Sequence, residues 1–337
     1  MIYKKNLMML TFVLCFIASG IKVFAEELVI YSARDKNLTR LAFEVFSNQS
    51  GINIKLVTGD IHDLLKQMKN EGESSPADIL ITVDAGSLWK ATEDNLLEPI
   101  NSEILEQNVP LSLRDPNNHW FGLSKRARTI VYSTERVNPA DLSTYADLAQ
   151  PKWKNRLCLR TSKKVYNESL VAMMISKNGI EETEKIIKGW VSNLAEEPYN
   201  KDTDVIMGII EGKCDVGIVN QYYLGRMIKR EPNIPVGLFW ANQGENEGGV
   251  IVDISGAGLT KHTKNKDLAA KLLNWLSSEK GQNFFADSNL EYPVNPNVEP
   301  GPLLRQWGSF KQNSENISQS GKNRDAAIEL MQKAGYR

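Results

Sequence analysis

Apolar and polar residues follow one another in blocks of two lengths along this chain. Residues 28–31, Leu28-Val29-Ile30-Tyr31, form a short apolar run of strand length. A polar turn at 32–37 leads into 38–48, where Leu38, Leu41, Val45 and Phe46 recur at helical spacing. Gly51 closes that helix, and a second strand is predicted over 52–57. A helix over 61–70, a strand over 78–83 and a helix over 86–94 continue the alternation, with Asp84 placed to cap the last of these. Two further apolar strands, 121–124 and 129–133, flank Lys125-Arg126-Ala127-Arg128. A second run follows: strand 157–159, helices 167–176, 181–194 and 203–211, and strand 215–219. After a glycine-rich loop at 244–249 come strand 250–254 and helices 266–277 and 279–286.

Strands alternating with helices predict an α/β architecture with mostly parallel sheets. Two such runs, joined by strands that cross between them, predict two hinged lobes. One lobe is expected to hold residues 26–126 with 253–290, and the other 127–252 with 291–337. A ligand belongs in the cleft between them, near strand C-terminal ends and helix N-termini.

The first 25 residues differ from the rest. Lys4 and Lys5 precede an apolar run at 7–17, small residues follow, and Ala25 stands before Glu26-Glu27. That is the layout of a cleavable export signal, cut after Ala25, and the run is too short to favour a membrane span. Leu14 before Cys15 argues against a lipid anchor there. The protein is therefore expected in the periplasm, without stable membrane insertion. A formal net charge of −1 provides no basic field for nucleic acid. The two remaining cysteines, Cys158 and Cys214, are an even count in an oxidising compartment and predict a disulfide worth roughly 4 kcal/mol; the alternative is two buried thiols.

Several stretches carry a resemblance. They are Ile30-Tyr31-Ser32-Ala33-Arg34, Ser75-Pro76-Ala77-Asp78-Ile79, Thr82-Val83-Asp84-Ala85-Gly86, Trp120-Phe121-Gly122 and Lys125-Arg126-Ala127-Arg128. Pro151-Lys152-Trp153-Lys154, Val165-Tyr166-Asn167, Asn220-Gln221-Tyr222-Tyr223 and Tyr292-Pro293-Val294 complete the ordered set. Together they resemble the bacterial periplasmic ferric-iron-binding proteins, the binding components of ABC iron importers. The resemblance implies a two-lobe, type II-like periplasmic binding fold, Fe(III) as cargo, and a membrane permease with its ATPase as partners. It places metal-binding tyrosines at Tyr166, Tyr222 and Tyr223. A monomer is the default expectation, because no coiled coil or oligomer surface stands out in the sequence.

Those residue types suit that cargo. Fe(III) is a hard cation that favours oxygen donors. A free tyrosine titrates near pKa ~10, so it is a poor ligand for weaker ions at neutral pH. A trivalent ion can displace the proton, because ligand deprotonation is coupled to binding. Arg226, four residues after Tyr222, can favour its phenolate or hold an anion. Adjacent side chains diverge in a regular element, so Tyr222 and Tyr223 are expected at an irregular strand-to-helix junction with Asn220 as its cap.

The sequence also departs from the family. Many members place His and Tyr after Ser-x-Arg; here Asp35 and Lys36 follow Arg34. Asp35 is the natural substitute ligand, or else a turn residue capping the next helix. A carbonate or phosphate held by Arg226, Arg34 or Arg128 is the other way to complete the shell. A second function stays open: a binder of a small organic or phosphorylated anion, with the tyrosines stacking or hydrogen-bonding. No nucleophile motif, P-loop or dinucleotide fingerprint supports an enzyme. His62, His119 and His262 lack metal-site spacing.

Overall fold

The computed structural model describes residues 26–337, so the leader expected over 1–25 and its cleavage after Ala25 lie outside the described residues. The chain opens with β1 (Glu27–Ser32), α1 (Lys36–Ser50), β2 (Asn53–Thr58), α2 (Ile61–Glu71), β3 (Ile79–Thr82), α3 (Ala85–Glu93), β4 (Leu97–Glu98) and α4 (Glu103–Asn108). A long strand follows, β5 (Trp120–Ser133), then β6 (Leu157–Cys158), α5 (Val165–Asn178), α6 (Ile180–Asn193), α7 (Asp202–Ile210), β7 (Val216–Asn220), α8 (Gln221–Arg230) and β8 (Val236–Phe239). The chain closes with β9 (Val252–Thr260), α9 (Lys266–Ser277), α10 (Glu279–Phe285), α11 (Pro302–Gln306), α12 (Gln319–Lys322) and α13 (Arg324–Lys333).

Local chemistry sets several of these limits. Asp35, Asp60, Asp84, Ser102 and Ser278 each accept a backbone N–H in the first turn of α1, α2, α3, α4 and α10. Gly51 ends α1 at φ 75°, where a side chain would be strained. The capping expected of Asp84 is what the structure shows.

The strands run in the order β2-β1-β3-β9-β5-β7-β6, with β4 also on β9 and β8 on β5. The sheets are mixed rather than mostly parallel. Parallel pairs occur only where a helix returns the chain: β1 with β2, β1 with β3, and β6 with β7. Every pair made by β5 or β9 is otherwise antiparallel. The two strands expected at 121–124 and 129–133 are one unbroken strand, because Lys125, Arg126 and Arg128 stay in the ladder with their polar ends hydrogen-bonded to Gln312, Ser255 and Asp202.

That strand serves two sheets. Trp120 to Ala127 pair with β9, and Arg128 to Tyr132 pair with β7. The change of partner falls between Ala127 and Arg128. Two main cores lie on either side of it. The first packs Leu28, Ile30, Phe43, Phe46, Ile79 and Leu272. The second packs Leu170, Ile187, Trp190, Ile218, Leu330 and Met331. Val294 and Ile317 join the first core, while Ala327 and Tyr336 join the second. Arg324 ties α5 to α3, its Nε 2.8 Å from Glu168 and its Nη1 3.5 Å from Asp84.

Cys158 and Cys214 form the disulfide. It links β6 to the segment entering β7. Gly217 in β7 allows the close packing there: a Cβ would lie 2.9 Å from the Cys158 carbonyl oxygen and 2.6 Å from Val205.

Candidate metal centre

The tyrosine pair stands where β7 passes into α8. All five residues of β7 are buried. Asn220 holds the cap position but makes no side-chain cap; its Oδ1 accepts from Arg128 Nη1 at 3.2 Å instead. A buried guanidinium directly across the ladder outcompetes the backbone amides for that oxygen. Gln221 is buried and reads both crossing segments. Its Oε1 accepts from Ala127 N at 3.0 Å, and its Nε2 donates to the Leu290 carbonyl at 2.9 Å.

Tyr222 is buried and Tyr223 half-buried, and their ring centroids lie 4.3 Å apart. They sit in the first turn of a regular α8, not at an irregular junction. Long helical side chains lean back toward the N-terminus, which draws neighbouring phenols together over the strand end.

Tyr166 comes from the first turn of α5. Asn167 fixes that turn: its Nδ2 donates to the Arg160 carbonyl at 2.8 Å and its Oδ1 accepts from Arg128 Nε at 3.0 Å. Tyr222 lies close enough to Tyr166 and Tyr223 for charge on either phenol to act on it. Two helix N-termini thus bring three phenols together. Their backbone dipoles favour negative charge at that point.

Three guanidinium groups surround the trio. Arg226 lies 4.6 Å from the Tyr222 ring centroid and 6.0 Å from that of Tyr223. Arg160 and Arg126 lie 5.4 and 5.8 Å from that of Tyr166. Arg126 also donates to Ser255 Oγ at 2.6 Å, to the Ile254 carbonyl at 2.9 Å and to the Val83 carbonyl. Burial works against its charge, but Glu291, Tyr166, Asp253 and Tyr222 outweigh that and hold it protonated. Burial pushes Tyr166 and Tyr222 above the ordinary phenol range; Arg126 opposes this in both. Neighbouring phenolate charge raises Tyr222 further. Without a cation, the buried phenols are therefore neutral.

The other sequence candidates lie elsewhere or are already engaged. Arg34 grips Glu291 with two nitrogens, at 3.1 and 3.0 Å, and stacks on Phe285. Arg128 pairs with Asp202 at 3.0 Å. Asp35 is exposed and accepts from Asn37 N at 2.8 Å as the cap of α1. Tyr31 packs into the first core, its hydroxyl 2.8 Å from Glu71 Oε1. His62 and His262 are exposed, and His119 bonds Asp115 at 2.9 Å. Among the described residues, no three His, Cys, Asp or Glu side chains gather to hold a metal. Arg126, Arg160 and Glu291 were not anticipated. Alternation along β5 was a usable signal, because residues 124, 126 and 128 share one face of a strand.

Residues 74–308 match the family described as bacterial extracellular solute-binding protein. Iron uptake protein A1 of Synechocystis sp. is 40% identical over 319 residues, spanning 93% of this chain and 88% of its own length. FutA (IdiA) of Trichodesmium, solved in complex with iron and citrate ligands, shares 40% identity with a TM-score of 0.88, over 92% of this chain and 100% of that one. Ferric iron-binding protein A of Mannheimia haemolytica, solved in an open conformation, shares 37% identity with a TM-score of 0.85, over 93% and 99% of the two chains. The likeness covers both cores and the crossing strands between them, which is the periplasmic-binding-protein fold. With that match in family, length and architecture, this chain belongs to the bacterial extracellular solute-binding proteins.

Proposed function

We propose that this chain binds ferric iron in the periplasm and delivers it to an ABC-type importer, a permease driven by an ATPase. The observation that carries this reading is the meeting of Tyr166, Tyr222 and Tyr223 at two helix N-termini among three arginines. Three phenolates balance a trivalent cation, and they are hard donors. The relatives are binding proteins, and the chain acts as a monomeric binder rather than as an enzyme. The leader directs export and is removed after Ala25. The lobes divide as 26–126 with 253–290 and 127–252 with 291–337, the last segment lending Val294 and Ile317 to the first core, and they hinge where β5 changes partner.

The first lobe or a trapped anion completes the shell on closure. Arg226 and Arg126 are the cations best placed for a carbonate or phosphate, since Arg34 pairs with Glu291 and both Arg128 and Arg160 pair with Asp202. That same engagement weighs against an organic or phosphorylated anion as the main cargo.

The test is direct. Protein loaded with ferric citrate and desalted should be orange-red from phenolate-to-iron charge transfer, with iron confirmed by elemental analysis. Colourless, iron-free protein overturns the ferric reading. Tyr222→Phe with Tyr223→Phe should remove the colour; persistence would overturn the ligand assignment.

A further inference from the structure

Leu290 holds a backbone conformation that a leucine rarely adopts. At φ 59° and ψ 36° it lies in the left-handed region, closing the short turn Asp287–Asn289 that follows α10. The other non-glycine residues with positive φ among the described residues are Asn95, Asn118, Asn155 and Asn242. Asparagine is tolerated there because its short polar side chain can bond locally, and leucine has no such compensation. A bulky residue stays in this region only where its surroundings hold it. Here the chain is pinned on both sides. Leu290 N donates to the Asp287 carbonyl at 2.9 Å, Glu291 accepts from Arg34 at 3.1 and 3.0 Å, and Tyr292 N donates to the Lys125 carbonyl at 2.8 Å.

What this strained residue touches is the helix that carries two of the phenols. Its carbonyl accepts from Gln221 Nε2 at 2.9 Å. Its side chain is buried and meets α8 again at Gly225. A Cβ on Gly225 would lie 3.1 Å from Leu290 Cδ1, 3.1 Å from Trp307 Cη2 and 3.5 Å from Leu303 Cδ2. The missing side chain at 225 is thus a notch, and Leu290 fills it. Gly225 stands three residues after Tyr222, on the same face of the helix. Contacts at 221 and 225 therefore bracket the phenol pair, and Tyr222, Leu290, Tyr292 and Leu304 form one buried cluster. Glycine at 290 would relieve the backbone but leave the notch empty. Asparagine would tolerate the backbone but press an amide into apolar surroundings.

We propose that Leu290 is a positioning residue for the tyrosine centre. Its left-handed backbone seats its side chain in the Gly225 notch and its carbonyl on Gln221, and the two contacts together fix the first turn of α8 under Tyr222 and Tyr223. Leu290 does not touch the metal; it acts through the helix. The strain at Leu290 is retained because the unstrained residues at that position would leave the phenols without this support. The inference rests on reading those phenols as iron ligands.

Leu290→Gly, Leu290→Met and Gly225→Ala test this in the full-length protein, read by competition for iron against citrate and by the position of the phenolate-to-iron charge-transfer band. Leu290→Gly should weaken iron binding about 10- to 100-fold, the range for groups that support metal ligands, and displace the band. Leu290→Met refills the notch and should restore most of that loss. Gly225→Ala favours the helix in itself, so a merely structural role predicts iron binding and band unchanged. Crowding Leu290 out of the notch should instead weaken iron binding and displace the band. Gly225→Ala also carries the test if Leu290→Gly fails to fold. Wild-type affinity and band position in either Leu290→Gly or Gly225→Ala overturn the proposal. Amide exchange over α8 in iron-free protein keeps this separate from the ferric reading. Exchange should quicken in Leu290→Gly and recover in Leu290→Met. Unchanged exchange overturns the role of Leu290 even where iron binds, whereas a colourless wild type with quickened exchange in Leu290→Gly overturns the ferric reading and leaves the seating of α8 standing.

Discussion

Two strand-to-helix junctions face each other in sequence logic, and they use their polar groups in opposite ways. At the end of β1, Asp35 caps α1, Tyr31 bonds Glu71 and Gln67, and Arg34 is gripped by Glu291. Every polar group there serves the fold. Burial, with the Glu71 carboxylate second, pushes the Tyr31 phenol up to about 12, so it is a firm donor rather than a ligand. At the end of β7, Asn220 gives up its capping role, Gln221 ties down the backbone, and Tyr222 and Tyr223 are left facing Tyr166 and three cations. The lesson is that a binding site is recognised by what its neighbours fail to consume. Both junctions carry tyrosine and arginine, but only the second leaves its phenols unspent.

The largest expected effect separates phenols from carboxylates as ligands. Each neutral tyrosine must release its proton to bind iron, so affinity falls as pH falls through the whole range below the raised phenol values. Tyr166 and Tyr222 alone predict a loss of about 100-fold per pH unit, one factor of ten for each proton. Competition against a chelator of known protonation between pH 6 and 8 measures the slope. A slope near one proton would mean that already ionised groups do most of the binding.

The next effect probes the consumed junction. Glu291→Ala leaves Arg34 buried without its carboxylate and should cost about 3–5 kcal/mol in denaturant unfolding. A loss within 1 kcal/mol would show that Ser255 and the Phe285 face suffice for Arg34. Glu291 has its own titration sign. Burial would raise it, but Arg34 and Arg126 hold it below the usual carboxylate range. Its contribution is therefore present above the unfolded-state value and is lost as pH falls through the folded one.

The smallest effect is the most discriminating. Asp35→Ala should cost about 1 kcal/mol as a lost cap and leave iron colour and affinity unchanged. A large drop in affinity would return Asp35 to the coordination shell and break the contrast between the two junctions.

Much of this was legible in the chain. The alternation of strands and helices located both α/β runs, the cysteine count pointed to the disulfide, and Asp84 was read as a cap. Tyr166, Tyr222 and Tyr223 were marked by motif, and the structure brings them together. Long-range pairing is not legible there. Arg34 and Arg128 look like free cations until Glu291 and Asp202 are found beside them, 257 and 74 residues away. Arg126 falls between the two apolar runs at 121–124 and 129–133, because charged residues interrupt the apolar pattern of a single strand. The antiparallel pairs escaped for the same reason: β5 and β9 meet across more than 100 residues, and no local pattern records that.

Gln221 gives the site a mechanical character. One amide clasps Ala127 on the outgoing hinge strand and Leu290 on the returning segment, immediately before the two phenols. If the lobes turn where β5 changes partner, that amide couples the turn to the start of α8. A partner that prised the lobes apart would pull on this one amide, and through it on the turn where the phenols stand.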